Sequence, residues 1–347
     1  MNKIVKKVLG IGLSVAMVGG MFAACSNGGQ TDETTTAAAA AEGGKTFKVG
    51  ICQLVQHEAL DAATKGFQDK LTELAEADGN KVEFDTQNAQ GESTNCATIV
   101  NQFVSNKSDL IMANATPALQ AAMNATAASK IPVVGTSVTD YGTALEIDMK
   151  AGDPTGINVT GVSDLASLEE QAKQITTLFP DAKKVGCIYC SAEANSTFQV
   201  EGIKAALSKS GVETEFYSFA DSNDIQGVAK KAAAESDVIY IPTDNTAASN
   251  GQVIAAACEE ANTPIIAGEE GIFKSTNAVA TFSISYYDIG VHAGEMAYEI
   301  LSKGTDPATM AIWQPTDLTY FVNDEMAKKY KVTVPENYES YDFSKAE

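Results

Sequence analysis

FKVGICQLVQHEALDAATKGFQDKLTELAEADGN, residues 47–80, sets the fold. Phe47 to Leu54 reads as a strand. The segment after it places Leu60, Ala63, Phe67, Leu71 and Leu74 on one helical face, and Gly79 closes it. A buried strand followed by an amphipathic helix is half of a βαβ unit, and the chain repeats it. Strands are expected at Val82–Thr86, Leu110–Ala113 and Ile131–Val134, with helices near Ser93–Val104 and Pro117–Ala127. The rhythm breaks over Tyr141–Gly161. It restarts with strands at Val185–Tyr189, Glu213–Ser218, Val238–Ile241, Pro264–Ala267 and Ala278–Phe282, and a helix at Asp288–Leu301. Two such series imply an α/β protein of two parallel-sheet lobes, each covered by helices on both faces. No Gly-rich dinucleotide fingerprint follows a strand, and no Walker motif appears.

Outward from this pattern, the N-terminus carries an export signal. Lys3, Lys6 and Lys7 precede an apolar stretch, Val8 to Val18, and Ala23-Ala24 stand directly before Cys25. FAAC reads as a lipobox, with Phe22 where Leu is usual, so residues 1–24 are expected to be removed and Cys25 lipidated; an ordinary cleavage site beside an incidental Cys is the alternative. Residues 25–45, rich in Gly, Thr and Ala, read as a flexible tether with a reach of roughly 25 Å. The expected protein is extracytoplasmic and anchored to the cell membrane by lipid.

Composition narrows the partners. Net charge is −21, and every one of the 24 basic residues is Lys. Nucleic acid and anionic headgroups are poor partners for such a field. Without Arg, bidentate guanidinium clamping of a carboxylate or phosphate is impossible, and backbone N–H groups, hydroxyls or Lys must serve. Of the six cysteines, Cys187 and Cys190 have CxxC spacing. They fall on a strand, where residues three apart face opposite sides, whereas a redox CxxC opens a helix. An exported thiol oxidoreductase is therefore a remote alternative. Asp221-Ser222-Asn223-Asp224 begins like a calcium loop, but Gln226 and Ala232 stand where Gly and a bidentate Glu are required. No metal, cofactor or catalytic residue is expected.

Ligands of parallel sheets gather at the C-terminal strand ends. On the first series these are Gln53, Leu54, His57, Asn88, Asn114 to Pro117 and Ser137 to Asp140. On the second they are Ser191 to Ser196, Thr243 to Thr246, Glu269-Glu270 and Ser283 to Tyr287. Thr116 as N-cap with Pro117 at the first helical position offers N–H groups to a carboxylate, or simply caps a structural helix. Asp140, Asn195, Ser196, Asn245 and Thr246 supply further polar edges. Asp244 and Glu269 are candidate acceptors for an ammonium group, and Tyr286 a candidate wall for a ring. One of Glu269 and Glu270 faces the cleft and the other solvent.

Several motifs carry a family resemblance: VGICQLVQHEALDAATKGF (49–67), QNAQG (87–91), ATPALQAA (115–122), IPVVGTSVTD (131–140), NVTGVSD (158–164), SAEANS (191–196), IYIPTDNTAAS (239–249), SYYDIG (285–290) and YFVN…A…VTVP (320–335). Together they resemble the ABC-transporter substrate-binding lipoproteins of the tryptophan/tyrosine-transport type, within the type I periplasmic-binding-protein superfamily. Tyr141 departs from the Pro frequent after VTD, and Cys190 from a polar turn residue. The resemblance implies lobes of 46–160 plus about 285–317 and of 161–284 plus about 318–347, joined by a hinge. It also implies a monomer that delivers an aromatic amino acid to an ABC permease and its ATPase, without enzymatic activity. A sugar or nucleoside ligand is the alternative. Trp313, the single Trp, lies away from the strand ends.

Overall fold

The computed structural model describes residues 44–343, so the expected signal peptide, Cys25 and nearly all of the tether lie outside the described residues. The first sheet takes β1 (Thr46–Gln53), β2 (Lys81–Asn88), β3 (Leu110–Asn114), β4 (Val133–Val138) and β5 (Val159–Ser163). Helices α1 (Glu58–Ala77), α2 (Ser93–Ser105), α3 (Thr116–Thr126) and the short α4 (Tyr141–Leu145) connect them. The order is β2-β1-β3-β4-β5, all parallel. Every residue of β3, β4 and β5 is buried, as a parallel sheet covered on both faces requires, while the edge strand β2 has no buried residue.

The second sheet follows with α5 (Leu168–Leu178), β6 (Lys184–Cys190), α6 (Ala194–Ser208), β7 (Glu213–Phe219), α7 (Ile225–Glu235) and β8 (Val238–Ile241). Next come α8 (Asn245–Ser249), α9 (Gly251–Ala261), β9 (Ile265–Ala267), α10 (Glu270–Ser275) and β10 (Ala280–Ser283). The chain then returns to the first sheet as α11 (Tyr286–Lys303), which shares a core with α1 built on Phe67, Leu71, Ile289 and Ala293. Bridges Pro154–Ala311 and Val162–Trp313 keep residues 311–313 beside β5. The chain crosses once more to β11 (Thr319–Val322), α12 (Asp324–Lys329) and β12 (Glu339–Ser340). The second order is β12-β11-β10-β9-β8-β6-β7, parallel except for β11 against β10. Both sheets thus have the α/β character read from the alternation, with a core on each face.

One detail differs from the sequence reading and a second agrees with it. β5 lies in the stretch read as a break in the rhythm, because its sequence VTGVS has a Gly at the centre of a short run. That Gly is required: a Cβ at Gly161 would sit 2.2 Å from both Gly135 O and Tyr141 Oη. Tyr141 fills this space beneath α4, 3 % exposed, with its hydroxyl donating to Val162 O. The second detail is that Cys187 and Cys190 belong to opposite faces of β6, in separate hydrophobic cores. Burial raises both thiol pKa values, that of Cys190 to about 11, so thiolate character is suppressed. No helix among the described residues is long and apolar enough to cross a membrane.

Candidate functional site

The C-terminal strand ends of the two sheets face each other across an enclosed cavity of about 10 Å³. From the first lobe it is lined by His57, Leu60, Ser137, Thr139 and Tyr286, and at the crossing by Asp164. From the second it is lined by Asn195, Thr243, Asp244, Asn245, Ala248 and Glu269. A space of this size admits about one water, so the lobes are shut against each other. Three contacts hold them so. His57 Nε2 meets Asn245 Oδ1 at 3.2 Å, Gln199 Nε2 donates to Thr139 Oγ1 at 3.4 Å, and Lys274 pairs with Glu58. Beyond Asn245 lies a wider cleft of about 340 Å³, whose walls include Leu54, Pro117, Cys190, Glu193 and Thr246.

Three carboxyl groups line the cavity and no Lys does. Asp164 Oδ2 accepts from the Tyr286 hydroxyl at 2.8 Å, and its Oδ1 is buried without a partner. Asp244 accepts from Cys190 N at 2.6 Å and from Ala247 N at 2.7 Å. Glu269 accepts from Gly271 N and Ile272 N, both at 2.5 Å, and so caps α10. Burial drives all three pKa values up, Asp244 and Glu269 to about 8; for Asp244 the charge of Glu193 adds to the effect. Other buried polar atoms on the cavity wall also lack partners: His57 Nδ1, Ser137 Oγ and Asn195 Oδ1. Most of these are acceptors, and buried groups of this kind ordinarily find partners. The site is built to receive hydrogen-bond donors and positive charge.

Two strand ends are held in strained backbone. Ala115 has φ 94° and ψ 158°, and Ser137 has φ 55°. Such conformations in non-Gly residues cost about 1–3 kcal/mol and gather where function over-determines the backbone. Ala115, not Thr116, occupies the N-cap of α3, and no side chain caps that end. The reading of Thr116 as cap is therefore corrected by one residue: Thr116 opens the helix, its side chain buried.

The structure brings Asn195, Asp244, Asn245, Glu269 and Tyr286 together on the cavity wall, and Leu54, Pro117 and Thr246 onto the adjoining cleft. Ser196 is buried just behind Asn195, whose amide lies 3.3 Å from its hydroxyl. Gln53, Asn88 and Asp140 do not line the cavity. Gln53 is consumed within its lobe, donating to Val55 O and Asp61 and accepting from Thr64. Asn88 accepts from Gln90 N to close a turn, and Asp140 accepts from Thr143 N to cap α4. Glu269 is the member of its pair that turns inward; Glu270 pairs with Lys274 at 2.9 Å.

Sequence reasoning did not single out Asp164, and took in Glu193 only as one of Ser191 to Ser196. Glu193 accepts from the backbone and side chain of both Asn245 and Thr246, at 2.7–3.1 Å, and thereby fixes the turn that carries Asp244. Its place inside SAEANS, at a strand end, was the available signal.

The chain matches the family described as ABC transporter substrate binding protein over residues 48–345. It is 38 % identical over 268 residues to a "Tyrosine-binding protein" of Clostridioides difficile (strain R20291), covering 76 % of each chain. A solved ABC domain in complex with L-Trp from Streptococcus pneumonia is 32 % identical, with a TM-score of 0.78 over 84 % of this chain and 96 % of that one. The ligand-free, open structure of a substrate-binding protein with adhesive properties from Clostridium difficile is 34 % identical. Its TM-score is only 0.63, over 85 % of this chain and 99 % of that one.

Proposed function

This chain belongs to the family of ABC transporter substrate-binding proteins, and we propose that the solute it captures between its lobes is an aromatic amino acid. The carrying observation is the pair Asp164 and Glu269, buried against an acceptor-rich cavity with no cation on its wall. An α-ammonium group beside Asp164 Oδ1 supplies the missing donor and charge. With no Arg in the chain, the α-carboxylate is seated on the Ser137 hydroxyl and on N–H groups of the first turn of α3 at Thr116. The ring meets Leu60, Ala248 and Tyr286, with Leu54 and Pro117 beyond. The relatives support this reading: one is named for tyrosine, another holds L-Trp, and both ligands carry a polar hydrogen on the ring. Against a sugar, Trp313 is stacked on His292 at 4.1 Å and does not line the cavity.

In this reading the lobes part about the three crossings, after Ser163, near Ile284 and between Trp313 and Thr319, to admit the ligand. Closure on it gives the form a permease and its ATPase recognise. At nearly equal identity, the greater likeness to the ligand-bound structure than to the open one supports a shut conformation. In this reading the protein acts as a monomer that delivers its solute without chemical change. Lipid at Cys25, after loss of residues 1–24, tethers it outside the membrane; a Cys25→Ala chain should keep solute binding yet leave the membrane fraction.

Thermal-shift and calorimetric screening of the purified protein against amino acids, sugars and nucleosides tests the ligand class. Ligand at a hundredfold excess over Kd stabilises by about 2.7 kcal/mol, so tryptophan or tyrosine should raise the melting temperature by several degrees. No shift with any aromatic amino acid overturns the reading.

The acids also set a pH dependence. For a carboxyl raised from 4.5 to about 8, as in Glu269, the closed ligand-free form holds more protons than the unfolded chain between those values. Its stability therefore falls as pH rises through that window. A bound ammonium favours the ionised carboxylates, so affinity should climb between pH 5 and 8 and binding should release protons. Calorimetry in buffers of different ionisation enthalpy measures that release; affinity that declines across the window would contradict it.

A further inference from the structure

Asn245 links two groups whose hydrogens can be placed. Its Nδ2 donates to Glu193 at 2.7 Å, and its backbone N–H donates to the same carboxylate at 3.1 Å. The amide nitrogen being committed, the carbonyl Oδ1 is what meets His57 Nε2 at 3.2 Å. An acceptor there requires the ring hydrogen on Nε2. Burial pushes the pKa of His57 down and favours the neutral ring. Nδ1 then carries a lone pair. It is buried, it has no partner, and its residue lines the cavity.

The cavity has two chemically distinct ends. Asp164 and Glu269 act on each other and on Tyr286. The acids that act on His57 are Glu193, Asp61 and Glu58. Beside His57 and Asn245 stand Leu60 and Ala248, each one helical turn further on and both apolar. The acid end suits an ammonium group; at the other stand the apolar Leu60 and Ala248, Asp244 already accepting from Cys190 N and Ala247 N, and the unpaired acceptors Asn195 Oδ1 and His57 Nδ1, of which His57 lies one turn from Leu60.

We propose that His57 determines ligand specificity: its Nδ1 accepts a hydrogen bond from an N–H or O–H on the ligand's ring, and selects tyrosine or tryptophan over phenylalanine. This rests on the amino-acid reading above and adds the side-chain chemistry to it. Glu193 and Asn245 are positioning residues that fix the tautomer. A phenylalanine ring leaves Nδ1 buried and unpaired, which disfavours it by about 10- to 100-fold.

Calorimetry of the whole protein with L-tyrosine, L-tryptophan and L-phenylalanine tests this in wild type, His57→Phe and His57→Asn. The expected result is a preference of at least tenfold for tyrosine or tryptophan over phenylalanine in wild type. It should collapse to within about threefold in His57→Phe and persist in His57→Asn, whose amide oxygen stands at the distance of Nδ1. As a measurement on the unaltered chain, which has only two histidines, ring ¹⁵N spectra should show His57 protonated on Nε2. The Nδ1 resonance should then move with tyrosine or tryptophan and not with phenylalanine. Equal affinity for all three ligands, an equal loss for all three in His57→Phe, or protonation on Nδ1 overturns the inference while leaving the functional reading intact. Binding of no aromatic amino acid overturns both.

Discussion

Replacing Asp164 with Asn should cut affinity for an aromatic amino acid at least a hundredfold while making the ligand-free protein slightly more stable. The two signs come from one cause. Asp164 is 5 % exposed, and the Tyr286 hydroxyl donates to its Oδ2. Burial alone opposes its ionised form, so a neutral isostere relieves that cost and keeps an oxygen for Tyr286. Once an ammonium group sits against Oδ1, the charge becomes the attraction, and truncating one partner of a buried hydrogen-bonded charge pair costs about 2–5 kcal/mol. Calorimetry and denaturant unfolding on the same preparation read both effects. Asp140→Asn is the control. Asp140 caps α4 through Thr143 N and does not line the cavity. Its substitution should cost at most about 1 kcal/mol of stability and leave affinity within twofold. Undiminished affinity in Asp164→Asn would remove the ammonium assignment.

Why Asp164 escaped a reading that found Asp244 and Glu269 is a matter of distance along the chain. Asp244 and Glu269 follow recognisable buried strands and stand where helix caps are expected, so local sequence points at them. Asp164 follows β5, whose short Gly-centred run is a strand only because Gly135 and Gly161 let β4 and β5 approach around Tyr141. Its value as a binding group further depends on Tyr286, 122 residues away. The role of Glu193, within the strand-end run Ser191 to Ser196, is hidden the same way, since its partners lie 52 and 53 positions on. Gln53 and Asp140 show the converse limit: strand-end position says where a residue stands and not whether neighbours consume its side chain. Thr64 and Asp61 occupy Gln53; Thr143 occupies Asp140. Alternation and strand ends are local properties and were legible; the pairing of polar atoms across long loops was not.

The heaviest stability effect should come from a residue that touches no ligand. Helices α1 and α11 approach so closely that a Cβ at Gly290 would lie 2.0 Å from Ala63 O, and one at Gly66 would lie 2.1 Å from Tyr287 O. These are backbone atoms, so no rotamer change can make room and the helices must separate. Gly290→Ala is therefore expected to destabilise by about 3 kcal/mol, the upper part of the overpacking range, despite the roughly 1 kcal/mol that Ala gains over Gly in a helix. Gly227→Ala is the internal comparison. It is also helical, in the first turn of α7, but nothing lies within 4 Å of its would-be Cβ. It should stabilise by about 0.5–1 kcal/mol. Denaturant midpoints of the two variants should move in opposite directions, and a Gly290→Ala midpoint equal to wild type would mean the helices are not in backbone contact. The consequence reaches the site, because this helix pair spaces two walls of the cavity. His57 stands at the N-terminus of α1 and Tyr286 opens α11. Prising the helices apart moves the Tyr286 hydroxyl relative to both Asp164 and His57, so Gly290→Ala should weaken ligand binding as well, and Gly227→Ala should not.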